Sequence, residues 1–331
     1  MQEFLCLEHF YFLLLHIRYK KSSAGTNLKR LLPLLILFFF LLFFPRQTLE
    51  ASKSGLLLWF DSILPTLLPF LIVSGLILKT SLSDYFQKYL GPAFRRLFHC
   101  SDSGAFCLLC GLLCGYPVGA RLIALQLQED QLSLEEGQYL LSFCNNISPM
   151  FCISYGILQT LHASNVLPYL FCIYGSALLF GLFSRPSSLT VNTDFYTKKQ
   201  TSPAENIFQL IDVCIIDSFL ILIKLCGYLI LFSIFQKGIF LLLPNVNLYF
   251  KAILALLLEI TSGLSKVKEI SYEPLRSFLV VGGLSFGGLC CVFQTNSVIT
   301  GTKLSLKKYV IDKLLITVLA LFLYFFWSFF V

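Results

Sequence analysis

Long apolar runs separated by short polar stretches make up almost the whole chain. A helix needs about 20 apolar residues to cross the ~30 Å hydrocarbon layer of a bilayer, and most of the runs reach or approach that length. They are residues 31–44, 55–78, 104–127, 138–161, 167–183, 207–235, 248–264, 278–299 and 309–330. The pattern predicts an all-α polytopic membrane protein with about eight or nine membrane segments, including broken or re-entrant helices.

Two of these runs contain residues that interrupt a helix. Residues 115–121 read Gly-Tyr-Pro-Val-Gly-Ala-Arg, and residues 145–149 read Asn-Asn-Ile-Ser-Pro. Hydrocarbon offers no water to free backbone groups, so breaks at this depth are tolerated where the backbone is buried in protein or lines a polar cavity. Two neighbouring breaks are typical of the discontinuous helices of a transport or substrate-binding site. The alternative is a packing kink, in which small residues let helices approach closely.

The run 104–127 either crosses the membrane or turns back near its centre. Turning back at Tyr116 and Pro117 gives two arms of about ten residues, or ~15 Å of helix each, enough to reach mid-membrane. Basic residues such as Lys88 and Lys198 then share the cytoplasmic side, as the positive-inside rule favours. We favour this hairpin, although acidic residues at 129–136 argue mildly against it.

The two halves of the chain resemble each other. Residues 60–64, Phe-Asp-Ser-Ile-Leu, recur as residues 216–220, Ile-Asp-Ser-Phe-Leu, and an apolar run with two breaks follows each copy. Such an echo is what an internal repeat leaves, and inverted repeats are common in transporters. The predicted organisation is an N-terminal segment (1–27), a first membrane helix and loop (28–54), a first gate half (55–183), a polar linker (184–206) and a second gate half (207–331).

The N-terminal segment supports two interpretations. It is too short and polar to span comfortably and lacks the basic start and cleavage site of a signal peptide. It is either an interfacial helix or the product of a start codon read upstream.

Composition agrees with the membrane prediction. Hydrophobic residues make up 56% of the 331 residues and charged residues 13%, whereas a soluble domain has about 25% charged residues. The net charge of +7 lies in short loops, which suits membrane anchoring and leaves no basic module for nucleic acid. The twelve cysteines lie mostly in apolar runs, where we expect packing rather than disulfides or a metal site. No cofactor is expected.

Polar residues at the breaks are the candidate substrate-binding residues. Helix ends, amides and hydroxyls there suit an uncharged polar ligand, and an arginine could pair with an anion. The alternatives are interhelical hydrogen bonding for residues 145–149, a helix end near the interface for Glu259, and snorkelling to the headgroups for Arg121. The candidates are Gly115, Tyr116, Pro117, Gly119, Arg121, Asn145, Asn146, Ser148, Glu259, Thr261, Ser262, Gly263 and Ser285.

Two aspartates are candidates for ion coupling. Asp61 and Asp217 lie within apolar runs, where a carboxylate is costly unless it is paired or hydrated. Either could bind a proton or cation. Lys224 lies seven residues after Asp217, two turns along one helix face, so an internal ion pair is the alternative for that residue.

Catalysis is not expected. Residues 283–287, Gly-Leu-Ser-Phe-Gly, match the pattern of a serine-hydrolase elbow, which needs a strand-turn-helix setting and a histidine base. The four histidines, His9, His16, His99 and His162, lie outside the confident spans. Ser285 is better explained as close helix packing or as part of a second broken segment.

Several of these strings resemble the family of the sporulation integral membrane protein YlbJ. The strings are residues 63–70 (ILPTLLPF), 111–121 (GLLCGYPVGAR), 132–136 (LSLEE), 141–149 (LSFCNNISP), 258–263 (LEITSG) and 284–288 (LSFGG). The resemblance covers about residues 56–313. It implies two gate domains similar to the nucleoside-recognition segments of concentrative nucleoside transporters, and a role in building the spore envelope or cortex.

The expected function is therefore transport or binding of a small polar solute through paired gate domains in a bacterial cell membrane, on the mother-cell or forespore side. The alternative is a non-transporting membrane scaffold for cortex assembly. Expected partners are the lipid bilayer, an unidentified solute and either other sporulation membrane proteins or a second copy of the chain.

Overall fold

The computed structural model describes residues 37–80, 82–186, 207–243 and 245–329, which are helical apart from short connections and contain no strand. The N-terminal segment (1–27) and most of the polar linker lie outside the described residues. The chain divides into two units at Pro45. In the first unit, residues 37–43 are helical and the Phe39 and Phe43 rings stack.

The second unit is built from fifteen described helices, three of which continue into a π-helical segment. In chain order they are α1 (Pro45–Leu58), α2 (Leu64–Lys79), α3 (Leu82–Phe98), α4 (Asp102–Cys114), α5 (Val118–Gln128), α6 (Leu134–Cys144), α7 (Pro149–Phe151), α8 (Leu167–Leu170), α9 (Ser176–Phe183), α10 (Ile207–Leu242), α11 (Leu248–Leu258), α12 (Ile260–Val267), α13 (Glu273–Phe286), α14 (Gly288–Ile299) and α15 (Leu306–Ser328). The π-helical segments Trp59–Ile63, Cys152–Leu161 and Phe171–Gly175 join α1 to α2, extend α7, and join α8 to α9.

Within the described residues, four continuous helical stretches are long and apolar enough to cross a membrane: Pro45–Ile77, Ile207–Leu241, Glu273–Ile299 and Leu306–Ser328. A fifth would combine the end of α3 with α4, which are bent by 102°. Of the other predicted segments, residues 104–127, 138–161 and 248–264 form shorter helices separated by breaks, Leu167–Phe183 is a shorter apolar helix, and residues 31–36 of the first run lie outside the described residues. The all-α polytopic fold expected from the hydrophobic pattern is confirmed.

The two longest helical stretches, α1–α2 and α10, pack side by side in opposite directions. A side-chain carbon at Gly55 would meet Ser233, whereas one at Gly75 would meet Cys214. Rising numbers in one helix therefore match falling numbers in the other. The Trp59 indole N–H donates to the Leu222 carbonyl at 2.9 Å, which ties the middle of the pair together.

The chain reverses between α4 and α5, where the sequence predicts the tip of a hairpin. Gly115 has a φ of +73°, a conformation that favours glycine, and the Tyr116–Pro117 peptide bond is cis. A side-chain carbon at Gly119 would lie 3.0 Å from the Gly111 Cα, so the two arms touch near the tip. This contact needs an antiparallel helix pair and excludes one straight helix.

A second hairpin joins α11 and α12 through Glu259. Here Gly263 faces the backbone of Leu256, with 2.5 Å from an ideal Cβ at Gly263 to the Leu256 Cα. A broken helix follows each hairpin: α6 is separated from α7 by residues 145–148, and α13 from α14 by Gly287, whose φ is +83°.

The order of elements therefore occurs twice: a long helical stretch, a hairpin, a broken helix and a closing helix. The closing helices are Leu167–Phe183 in the first half and α15 in the second. Among the described elements, α3 is the one that has no counterpart.

Candidate functional site

All four breaks meet in the interior. Within the first half, the Tyr116 N–H donates to the Asn146 carbonyl at 2.8 Å. Within the second half, Gly288 packs against the backbone around Glu259. Between the halves, the Tyr116 ring covers Gly287, and its hydroxyl lies 3.4 Å from the Phe286 carbonyl oxygen. The breaks that are far apart in sequence thus form one continuous region.

Asn145 links three elements at the centre of this region. Its side chain is fully buried and accepts a hydrogen bond from the Ala120 N–H at the start of α5 (3.3 Å). Its amide nitrogen lies 2.9 Å from the Thr295 hydroxyl on α14 and 3.2 Å from the Tyr309 hydroxyl on α15. A buried amide needs such partners, so Asn145 fixes the first hairpin against the second half.

The amine of Lys313, on α15, is fully buried and lies beside Asn146, the residue after Asn145. Its Nζ donates to the Asn146 Oδ1 at 2.6 Å and lies 5.2 Å from the centre of the Tyr116 ring. Among the described residues no carboxylate forms an ion pair with it. A basic group buried at membrane depth without a counter-charge is costly, and such groups are usually functional.

Glu259 caps the second hairpin. It is 2% exposed, and its two carboxylate oxygens accept the N–H groups of Thr261 (2.8 Å) and Ser262 (2.7 Å). A carboxylate at a helix N-terminus satisfies free N–H groups and complements the helix dipole. The Tyr155 hydroxyl from the first half donates to the Thr261 carbonyl at 3.3 Å, which ties this cap to the other half.

A small cavity lies beside the meeting point. This inner cavity has a volume of about 50 Å³, room for a water molecule or two. Its polar lining comes from both halves: Tyr116, Ser148, Glu259, Thr261 and Gln294. Its apolar wall comes from α2 and α10, so it lies between the long helices and the breaks.

A much larger cavity opens on the other face of the α12 N-terminus. This outer cavity has a volume of about 820 Å³ and is bordered by α1, α10 and α12. Ser262 lines the outer cavity and Thr261 the inner one; likewise Ser62 lines the outer cavity and Ile63 the inner one. The backbone at residues 62–63 and at residues 261–262 therefore lies between the two cavities.

The structure brings together most of the predicted substrate-binding residues but not all. Pro117, Gly119 and Gly263 shape the hairpins. Arg121 is exposed on α5, away from the buried polar network. Ser285 is buried on α13, and its hydroxyl finds no hydrogen-bond partner among the described residues.

The two candidate aspartates have different surroundings. Asp61 is exposed and lines the outer cavity. Asp217 forms an ion pair with Lys79 at 2.6 Å. The internal pair of Asp217 with Lys224 suggested by helical spacing is not formed, because Asp217 pairs with Lys79 on α2 instead.

Neutralising Asp217 should have a small effect. The side chains of Lys79 and Asp217 are 38% and 46% exposed, and pairs this exposed contribute about 0–1 kcal/mol. We expect Asp217→Asn to unfold within a few degrees of the wild type in detergent, as followed by size-exclusion chromatography after heating. A large loss of folded protein would mean that the pair is more buried than described.

Sequence reasoning passed over Lys313, Tyr309 and Asp312 within the last span. Asp312 accepts a hydrogen bond from Ser142, so it too joins α15 to α6. The available signal was two adjacent charged residues at the start of an otherwise apolar run. The described cysteines are free and mostly buried, and the described residues contain no group of His, Cys, Asp and Glu that could hold a metal.

The fold and the site define a class: an all-α multi-pass membrane protein whose broken helices meet at a buried polar centre. Among curated proteins, the chain is similar to the sporulation integral membrane protein YlbJ of Bacillus subtilis (strain 168), with 28% identity in a 333-residue alignment that covers 87% of this chain and 81% of that protein. This similarity confirms the resemblance to the YlbJ family drawn from the sequence motifs. No protein-family model and no solved structure matches the chain.

Proposed function

We propose that this sporulation-related membrane protein transports a small polar solute, with the inner cavity and the surrounding breaks as its central site. The meeting of four helix breaks from two halves carries the proposal. In hydrocarbon, each unpaired backbone group costs several kcal/mol. A fold that only had to pack could use continuous helices instead.

The arrangement of the halves supports the proposal. The paired long stretches run antiparallel, and each half contributes one hairpin and one broken helix to the same centre. Inverted repeats of this kind place solute and coupling ions near the bilayer midplane, between the repeats. We propose that residues 55–183 and 207–331 are such a pair of gate halves.

The size of the inner cavity indicates a closed state. Sites for small molecules usually have volumes of about 300–1,000 Å³, whereas the inner cavity has about 50 Å³. A solute therefore enters only after the α12 N-terminus or the Tyr116 ring moves. Both elements lie on hairpin tips, which can shift without disturbing the long helices.

Asp61 is the better candidate for ion coupling. It lines the outer cavity and has no ion-pair partner among the described residues. Asp217 is already paired with Lys79. We propose that a proton or cation exchanges at Asp61, and that the protein acts in the bacterial cell membrane, as one copy or as a homo-oligomer.

One observation favours the alternative, a scaffold for cortex assembly. The Asn145 side chain is fully satisfied by protein groups, so the centre could serve packing alone. A scaffold needs no flux, and its polar centre should tolerate changes that preserve folding. Flux measurements separate the two functions.

The test is uptake by purified protein in lipid vesicles, screened with nucleosides, dipicolinate and divalent cations. For a solute that enters, Glu259→Gln should reduce the rate at least about tenfold, because the glutamine NH₂ cannot accept one of the two N–H groups at 2.7 and 2.8 Å. Loss of a helix cap costs about 0.5–2 kcal/mol, too little to unfold the protein.

The matched control is Glu269→Gln. Glu269 is exposed and pairs with Lys266 three residues away, so uptake should stay near the wild-type rate. Equal uptake by wild type, Glu259→Gln and Glu269→Gln would count against the central site. Normal spore formation with no flux of any tested solute would favour the scaffold.

A further inference from the structure

The outer cavity contains features that a mere gap between helices would lack. Eleven of the sixteen residues around it are polar or charged, in a chain with 56% hydrophobic residues. Five of the eleven are serines, contributed by α1, α10, α12 and the π-helical segment after α1. Its volume of about 820 Å³ lies in the range of small-molecule sites.

One buried donor at this cavity has no partner. Gln236 on α10 lines the outer cavity and is 8% exposed, and its Nε2 finds no hydrogen-bond partner among the described residues. A buried, unsatisfied amide costs about 1–3 kcal/mol. An oxygen acceptor on a bound molecule would remove that cost, so Gln236 points to a ligand.

Two charges of opposite sign are also free to act on a ligand. Lys53 and Asp61 lie eight residues apart, about 12 Å along a helix, and neither has an ion-pair partner among the described residues. The other charges at the cavity are occupied, since Lys237 pairs with Glu50 and Lys266 with Glu269. This set suits an organic solute with both acceptors and donors better than a bare ion.

We propose that the outer cavity is a second, water-filled binding site, which holds the solute before it passes the α12 N-terminus into the inner cavity. The inference rests on the proposed transport function and adds a step to it. The capped turn between Glu259 and Ser262 is then the partition between the two sites. The ligand is a small polar solute whose oxygen atoms accept hydrogen bonds from Gln236 and the serine hydroxyls.

Water access is tested first, with a membrane-impermeant, charged methanethiosulfonate reagent on protein in vesicles. Ser265→Cys, exposed in the outer cavity, should react. Leu315→Cys, at a leucine that is 52% exposed on α15, faces lipid and should not react, because the reagent needs water. The wild-type chain measures the background from native cysteines. No reaction at Ser265→Cys would overturn the outer site, whether or not transport occurs.

Binding is tested next, with a solute that passed the uptake screen. That solute should slow the reaction of Ser265→Cys at least about threefold. In the double variant Gln236→Leu/Ser265→Cys this protection should be weaker. In uptake, Gln236→Leu should raise KM and leave the maximal rate nearly unchanged, since the inner site is intact. Uptake of the solute without any slowing of the Ser265→Cys reaction would overturn the outer site and leave the proposed transport function standing. If no solute is carried, the inference falls with the proposed function, even where Ser265→Cys is labelled.

Discussion

Lys313→Met is expected to abolish uptake without lowering stability. The substitution removes a fully buried amine whose partners are the side-chain Oδ1 of Asn146 and the Tyr116 ring. Removing an uncompensated buried charge relieves a desolvation penalty of several kcal/mol. The lost hydrogen bond costs about 1.5–3 kcal/mol. The unfolding midpoint in detergent should therefore stay the same or rise.

The loss of uptake follows from the position of Lys313 beside the first hairpin. Lys313 fixes the Asn146 side chain, and the Asn146 carbonyl holds the tip of the first hairpin through Tyr116. Uptake should fall at least about tenfold, the factor for ~1.4 kcal/mol of lost interaction. Lys308→Met is the matched control, because Lys308 is exposed on the same helix, and uptake there should be unchanged. Unchanged uptake in Lys313→Met would contradict its role in transport, and a collapse in stability would show that Lys313 serves folding.

Gly263→Ala is expected to destabilise the protein strongly. The new Cβ would lie 2.5 Å from the Leu256 Cα and 2.6 Å from its nitrogen. These are backbone atoms, so the arms of the second hairpin must separate and cannot simply rotate a side chain. Overpacking of this kind costs about 1–3 kcal/mol or more. The expected result is a lower unfolding midpoint and a low yield of monodisperse protein.

Gly227→Ala is the control for that substitution. Gly227 lies within α10, is exposed, and an added Cβ there would meet nothing within 4 Å. Alanine is favoured over glycine in a helix by about 1 kcal/mol, so this variant should be slightly more stable. Equal midpoints for the two variants would show that the hairpin arms are further apart than described.

The breaks could be predicted from the sequence because local chemistry produces them. Two glycines and a proline fall within residues 115–119, a combination that disfavours a continuous helix, and the hairpin has its tip there. That these breaks lie next to one another in the fold could not be predicted. Asn145 and Thr295 are 150 residues apart, and nothing in a hydrophobic pattern tells which breaks become neighbours.

The charged residues show the same limit. Arg121 and Lys313 both lie in apolar runs, yet Arg121 is exposed and Lys313 is fully buried. Helical spacing suggested Lys224 as the partner of Asp217, but the pair forms with Lys79 on another helix. Which face of a helix packs against other helices depends on the tertiary structure. In a membrane helix the lipid-facing side is as apolar as the packed side, so the sequence does not show which side is buried.

Uptake into vesicles by the wild type and Lys313→Met, measured side by side with the same solute panel, tests the central claim most directly. The claim is that the four breaks and Lys313 form a transport site. We predict that at least one solute enters vesicles containing the wild type faster than empty vesicles, and that Lys313→Met, folded and inserted to the same extent, loses this uptake. Equal rates through the two proteins, or no uptake by the wild type, would contradict it.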